Sequence, residues 1–232
     1  MYHHDLGYGK DLRNGNDPWS GKFPPNGNDL RSGKNTPKGN EHPIGDEQRY
    51  FIAVPIPAEV KRTIRDWCER HRHMMPFKRW VHGDDYHITL QFLGNCGRET
   101  ADEVRRKLAD VAPKLASFDL TLTGIGCFGQ REKPRVLWAG VGGDLDRLNR
   151  AQAAVVEAMR GLGFVPEERP FRPHVTLARQ YEGGRFEEKR MAGRWSEEMA
   201  SPKWSVTSIV LYRTRMGSQP MYVNEVEYDL MP

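Results

Sequence analysis

The tetrapeptide His87-Ile88-Thr89-Leu90 recurs as His174-Val175-Thr176-Leu177. Each copy lies in a run of apolar and β-branched residues that reads as a buried strand. Side chains alternate between the two faces of a strand, so each His shares a face with the Thr two residues on. A chain that must bury the aliphatic residues of both copies while holding two imidazoles and two hydroxyls on the other face has few folds open to it. The simplest sets the two strands side by side, so that both pairs line one cleft.

Strand and helix signals alternate around these motifs. Residues 50–54 form a short strand pattern stopped by Pro55 and Pro57. Val60, Ile64 and Trp67 then fall on one helical stripe, with Pro76 as the latest end of that helix. Gly83-Asp84-Asp85 turns the chain into the first His strand, residues 86–93, closed by Gly94. A second helix carries Val104, Leu108 and Val111, and Pro113 stops it. Phe118, Leu120 and Leu122 alternate with Asp119, Thr121 and Thr123 as a half-buried strand, and a polar connection leads to another over residues 135–141. Gly142-Gly143 precedes a helix that groups Leu148, Ala151 and Val155. The second His strand spans residues 174–178. An amphipathic stretch through Phe186 and Trp195 follows, then strands over 204–212 and 221–228. This order lacks the regularity of a doubly wound sheet and predicts an α+β fold, with two related lobes around one cleft.

Residues 1–47 stand apart. They are rich in Gly, Asn and Pro and carry six basic and seven acidic side chains. An imperfect 12-residue repeat runs through them, Asn14-Gly15-Asn16-Asp17 returning as Asn26-Gly27-Asn28-Asp29. So little apolar surface cannot offset the entropy of ordering the chain, and a disordered tail is expected ahead of a folded unit over residues 48–232. The positive formal charge of the whole chain, +4, therefore comes entirely from the folded part, as suits a phosphate-bearing ligand or ordinary solubility. Cys68, Cys96 and Cys127 are widely spaced and form no CxxC pair, which argues against a disulfide framework or thiolate zinc. With no apolar run long enough to span a membrane and no signal-peptide core, a cytoplasmic setting is expected.

Histidine titrates nearest neutral pH, so of two imidazoles in one cleft one can accept a proton while the other donates one. Thr89 and Thr176 can donate hydroxyl hydrogen bonds to phosphate oxygens. Arg179, five residues past His174, can contact phosphate through its planar fork. Its odd offset puts it nominally on the opposite strand face, so it reaches the cleft only if the strand bends or ends first. His71 and His73 share a helix with no third ligand at helical spacing, and no His-Glu-x-x-His occurs, so neither a metal nor a cofactor is expected. Leu90, Phe92 and Leu177 read as core. Trp80 and Trp138 can each reach a base, although burial is expected for Trp138. His82 can line the entrance, and Arg131, Lys133 and Arg135 can track a nucleic-acid backbone or form a solvated loop.

The runs His87-Ile88-Thr89-Leu90-Gln91-Phe92-Leu93-Gly94 and Pro173-His174-Val175-Thr176-Leu177-Ala178-Arg179 resemble the paired signatures of the two-histidine phosphoesterases. Within that superfamily they are similar to the bacterial and archaeal RNA 2′,3′-cyclic phosphodiesterases, also called 2′-5′ RNA ligases. The resemblance covers about residues 49–230. It implies a bilobal α+β fold with an antiparallel-rich sheet in each lobe, helices packed outside, and the His motifs on central strands. It further implies His87 and His174 as the acid/base pair, in either order, with Thr89, Thr176 and Arg179 on phosphate. Tyr50 and Phe51 match the strand where relatives place aromatic residues near the nucleotide, and alternation lets only one of the two face the cleft. The implied reaction is hydrolysis of an RNA-terminal 2′,3′-cyclic phosphate to a 2′-phosphomonoester by a monomer, with weak reverse ligation as a corollary. RNA or nucleotide binding without turnover is one alternative. Another is the same chemistry on a small cyclic nucleotide or a cyclic phosphate on ADP-ribose.

Overall fold

A computed structural model describes residues 47–232, and the readings made of the 12-residue repeat and of the tail ahead of it lie outside the described residues. The elements, in chain order, are β1 (Gln48–Pro55), α1 (Ala58–His71), β2 (Phe77–Trp80), β3 (His87–Cys96), α2 (Arg98–Val111), β4 (Phe118–Gly129), β5 (Pro134–Gly143), α3 (Leu145–Arg160), β6 (His174–Tyr181), α4 (Glu188–Glu198), β7 (Lys203–Val206), β8 (Ser208–Thr214) and β9 (Tyr222–Asp229). Among the described residues no helix is long and apolar enough to cross a membrane.

The strands form one sheet of nine, in the order β7-β4-β5-β6-β3-β1-β8-β9, with β2 paired to β6. Every ladder is antiparallel. The two lobes expected from sequence are the two halves of this sheet. One half is β9-β8-β1-β3 and the other is β6-β5-β4-β7, and they meet through a single residue pair, Ile88 opposite Val175. That pair belongs to the two repeated motifs, so the His strands are also the seam of the fold. Beyond the seam, β6 pairs with β2 along the same edge, Arg79 lying opposite Arg179 and Trp80 opposite Ala178.

The helices bury the stripes that their spacing predicts. Val60, Ile64 and Trp67 of α1 are buried, as are Val104 and Leu108 of α2 and Leu148, Ala151 and Val155 of α3. The amphipathic stretch becomes α4, which buries Met191 and Trp195. Trp195 meets Trp67 of α1 edge to face, with centroids 4.9 Å apart. The Asp144 side chain caps α3 by accepting the Arg147 N–H at 3.0 Å. These faces join the inner residues of the sheet in one hydrophobic core that includes Ile52, Val54, Ile88, Leu90, Val175 and Leu177.

Two segments depart from their sequence patterns. Residues 204–212 read as one strand but divide at Thr207 into β7, which pairs with β4, and β8, which pairs with β1. The burial pattern records the change, alternating in β7 and continuous over residues 208–211 of β8. The short β2 carries no period of its own, because four residues flanked by turns give too little pattern to read.

Candidate active site

His87 and Thr89 on β3 and His174 and Thr176 on β6 are all half-buried, while the Ile88, Leu90, Val175 and Leu177 that alternate with them are core. Each strand then carries a bulge at the same place in its motif. Ala53 lies opposite Thr89 and Ile52 opposite Gln91, so Leu90 is the extra residue of β3. Trp138 lies opposite Thr176 and Leu137 opposite Ala178, so Leu177 is the extra residue of β6. A bulge shifts the alternation by one, and the residue five past each His returns to the face of that His. In β6 this residue is Arg179, whose charge acts on both His87 and His174. The doubt raised by its odd offset is thus resolved inside the strand, before its end. In β3 the same position holds Phe92, which sequence pattern assigned to the core. It is 49 % exposed, with its ring centroid 6.0 Å from that of Phe51.

The two imidazoles are held alike. His87 Nδ1 donates to the Asp85 carbonyl at 2.7 Å, and His174 Nδ1 donates to the Arg172 carbonyl at 2.7 Å. A carbonyl oxygen only accepts, so the proton of each neutral ring sits on Nδ1 and the lone pair on Nε2. The Thr89 hydroxyl lies 3.1 Å from His87 Nε2 and donates to it. Burial pushes His87 down to about 4 against the pull of its Asp85 carbonyl bond, and Arg179, His174 and Lys61 add to the fall. Burial likewise brings His174 to about 4 against its Arg172 carbonyl bond, with Arg179 and Arg172 adding. Both rings are therefore neutral at pH 7 until a negative charge joins them.

Aromatic walls flank the pair. On the His87 side, the Phe51 ring sits 4.7 Å from the imidazole and stacks on Tyr212 at 5.2 Å. Tyr222 meets Phe51 at 4.7 Å and His87 at 5.2 Å, both edge-on. Phe51 is 2 % exposed and forms the floor under His87. Tyr50 does not join the site: by strand alternation it turns to the opposite face, where it belongs to the core and where Glu225, Arg105 and Arg213 act on its phenol. Of the two candidates, Phe51 is the one on the face of His87, and Tyr50 lies in the core. On the His174 side, Phe128 meets the imidazole edge-on at 5.0 Å, and Trp138 packs 5.2 Å from Phe128. Trp138 is half-buried on the site face and lies over Gly126, where a Cβ would stand 2.4 Å from its ring.

Asp85 ties this arrangement to the end of the chain. Its carbonyl holds His87, and its buried carboxylate accepts the backbone N–H groups of Met221 at 2.9 Å and Tyr222 at 3.0 Å. Tyr222 is set against His87 in this way, and its phenol feels the charge of Arg179. Sequence reasoning missed Asp85, Tyr212 and Tyr222, because only long-range pairing of β1 with β8 and of β8 with β9 brings those strands near β3, and it missed Phe128, which reaches His174 through the β4–β5 and β5–β6 ladders. For Phe92 a signal existed: its offset from His87 equals that of Arg179 from His174.

The other residues considered in the sequence lie elsewhere. Exposed His82 accepts the Asp84 N–H at 3.3 Å and caps a turn. Trp80 packs against the core, Arg131 and Lys133 are exposed in the β4–β5 connection, and His71 pairs with Glu198 at 2.7 Å. The three cysteines are free thiols. Among the described residues no three His, Cys, Asp or Glu side chains cluster as a metal-holding group.

A protein from Geobacillus stearothermophilus named RNA 2′,3′-cyclic phosphodiesterase is 40 % identical over 183 residues, covering 78 % of this chain and 57 % of its own length. The chain thus spans somewhat over half of that relative. A Bacillus subtilis protein of the same name is 39 % identical over 137 residues, 58 % of this chain and 72 % of its own. Among solved structures, Escherichia coli LigT complexed with 3′-AMP superposes with a TM-score of 0.67 at 24 % identity, over 81 % of this chain and all of that one. TT0787 of Thermus thermophilus superposes with a TM-score of 0.58 at 26 % identity, over 78 % of this chain and 97 % of that one. The family model described as LigT like phosphoesterase matches residues 54–138 and 143–222, which bracket both motifs, and the chain belongs to that family.

Proposed function

We propose that this chain hydrolyses a 2′,3′-cyclic phosphate at an RNA end to a 2′-phosphomonoester, with His87 and His174 as the proton-transfer pair. The observation that carries the reading is the matched tethering of the two rings, each with Nδ1 donating to the carbonyl two residues back, which puts the lone pair of each neutral ring on Nε2. The names of the relatives supply the substrate class.

A cyclic phosphate is an anion. Beside two neutral imidazoles and Arg179, its charge favours protonation of one ring, which becomes the acid, while the other stays neutral as the base. The base takes a proton from water as its oxygen forms the new bond to phosphorus. The bond from phosphorus to the 3′ oxygen breaks, and the acid delivers its proton to that oxygen. Thr89, Thr176 and Arg179 hold the non-bridging oxygens, where negative charge grows. Phe92, exposed beside Phe51, offers a face on which the terminal base stacks. Both histidines come from one chain, so a monomer suffices, and the cytoplasm is the proposed setting. With a 5′-hydroxyl in place of water as the attacking group, the same steps open a 2′,3′-cyclic end into a 2′-5′ phosphodiester, so slow 2′-5′ ligation is compatible with the site.

The test is an oligoribonucleotide ending in a 2′,3′-cyclic phosphate, incubated with the protein in EDTA and resolved by product. A 2′-phosphate end is expected. A 3′-phosphate end, or tight binding without turnover, overturns the reading.

A further inference from the structure

Arg79 stands directly opposite Arg179 in the β2–β6 ladder. Directly opposed residues of an antiparallel pair project to the same face with Cβ atoms about 4.5–5.5 Å apart, and like charges in that position destabilise the sheet. Both side chains are half-buried, which leaves less water to screen them. Burial holds the Arg179 guanidinium below its ordinary pKa, with Tyr222 acting the other way and the charge of Arg79 adding to the fall. The pair is nonetheless built in. Arg79 Nε donates to Gln180 Oε1 at 3.1 Å, and Gln180 sits at a φ of 60°, a left-handed conformation that a residue with a Cβ rarely adopts. Strain at one residue thus accompanies a bond made by the Arg79 side chain, and strained backbone of this kind clusters at ligand sites.

The proposed function places Arg179 at the cyclic phosphate and assigns Arg79 no part in the reaction. The two arginines stand one strand spacing apart, about 4.8 Å, and each fork suits one phosphate. We propose that they bind two successive phosphates of an RNA strand: Arg179 the terminal cyclic phosphate, and Arg79 the phosphodiester one nucleotide upstream. The inference rests on the proposed function and deepens it, because it makes an RNA chain, in preference to a free cyclic mononucleotide, the substrate class.

The experiment compares kcat/KM for a trinucleotide with a 2′,3′-cyclic end and for a 2′,3′-cyclic mononucleotide, using wild type, Arg79→Ala and Arg79→Lys. Wild type is expected to favour the trinucleotide by about tenfold or more, the worth of a charge-assisted contact. In Arg79→Ala that ratio falls to near one through KM, and Arg79→Lys keeps part of it. The slope of log kcat/KM against log salt on the trinucleotide drops by about 0.7 in Arg79→Ala, the signature of one lost single-strand phosphate contact. The melting temperature of the ligand-free variant stays at or above that of wild type, since a like-charge pair is relieved. An unchanged ratio in Arg79→Ala, or equal loss on both substrates with a lowered melting temperature, overturns the inference while leaving the proposed reaction standing. Turnover of neither substrate by wild type overturns the reaction itself, and the inference with it.

Discussion

Asp85→Ala is the substitution that most tests how the site is held together. Asp85 is 6 % exposed, and its carboxylate accepts N–H bonds from Met221 and Tyr222 at 2.9 and 3.0 Å. Hydrogen bonds to a charged group contribute about 1.5–3 kcal/mol each, and a buried donor left without an acceptor adds a desolvation cost. Both amides belong to half-buried residues, so water recovers part of the loss, and the combined cost is about 2–3 kcal/mol. The bond from His87 to the Asp85 carbonyl belongs to the backbone and survives the substitution. What loosens is the start of β9, and with it Tyr222 against His87 and Phe51. Urea unfolding followed by circular dichroism measures the stability change. Activity on a cyclic-phosphate substrate is expected to fall about tenfold, one lost contact of this size, with KM moving more than kcat. Asp85→Asn, which keeps one carbonyl oxygen, is expected to lie between. A loss of stability under about 0.5 kcal/mol in Asp85→Ala, the range of ordinary surface substitutions, refutes the argument that this carboxylate anchors the strand.

The low pKa of both histidines makes the fold sensitive to acid. Between the ordinary value of 6.5 and the folded value of about 4, the unfolded chain binds protons that the folded chain refuses. Stability is therefore full above pH 6.5 and is lost as pH falls towards 4, by on the order of 2 kcal/mol per histidine. Urea unfolding of the double variant His87→Asn/His174→Asn at pH 7 and 4.5 is expected to show a smaller acid loss than wild type, and an equal loss sinks the assignment. Gly126→Ala puts a methyl group 2.4 Å from the Trp138 ring and is expected to cost about 1–3 kcal/mol, with a shift in tryptophan emission as the indole moves. Phe92→Ser removes an exposed ring, so unfolding should change by less than about 0.5 kcal/mol. Its KM for a base-bearing substrate should rise about tenfold if the ring stacks on a base, and an unchanged KM removes Phe92 from the site.

The parts of the fold legible in sequence are those whose information is local. Apolar period located α1, α2 and α3, and the repeated His-x-Thr-Leu located the two seam strands, because burial on one face writes itself into every second or every third and fourth residue. The bulges are not written that way. Leu90 and Leu177 are ordinary strand residues in sequence, and only the registers of β1 and β5 make them extra. That single residue decides the face of Arg179 and of Phe92, which is why pattern alone assigned Phe92 to the core and left Arg179 in doubt. Asp85, Tyr212 and Tyr222 depend on strands far apart in the chain meeting at one edge, and nothing near them in sequence announces it. Tyr50 and Phe51 show the converse: alternation allowed only one to face the cleft, but ring packing on His87 was needed to select Phe51.

The proposed reaction requires the two histidines to act as one unit. The decisive measurement is kcat/KM of His87→Ala, His174→Ala and the double variant on the cyclic-phosphate oligonucleotide, with each variant shown to be folded. Each single substitution should cost about 10²–10⁴-fold, and the double should cost little more than either one, because a proton relay with one end missing has nothing left to lose at the other. Retention of activity within tenfold of wild type in either single variant, or losses that multiply in the double, contradicts the paired mechanism.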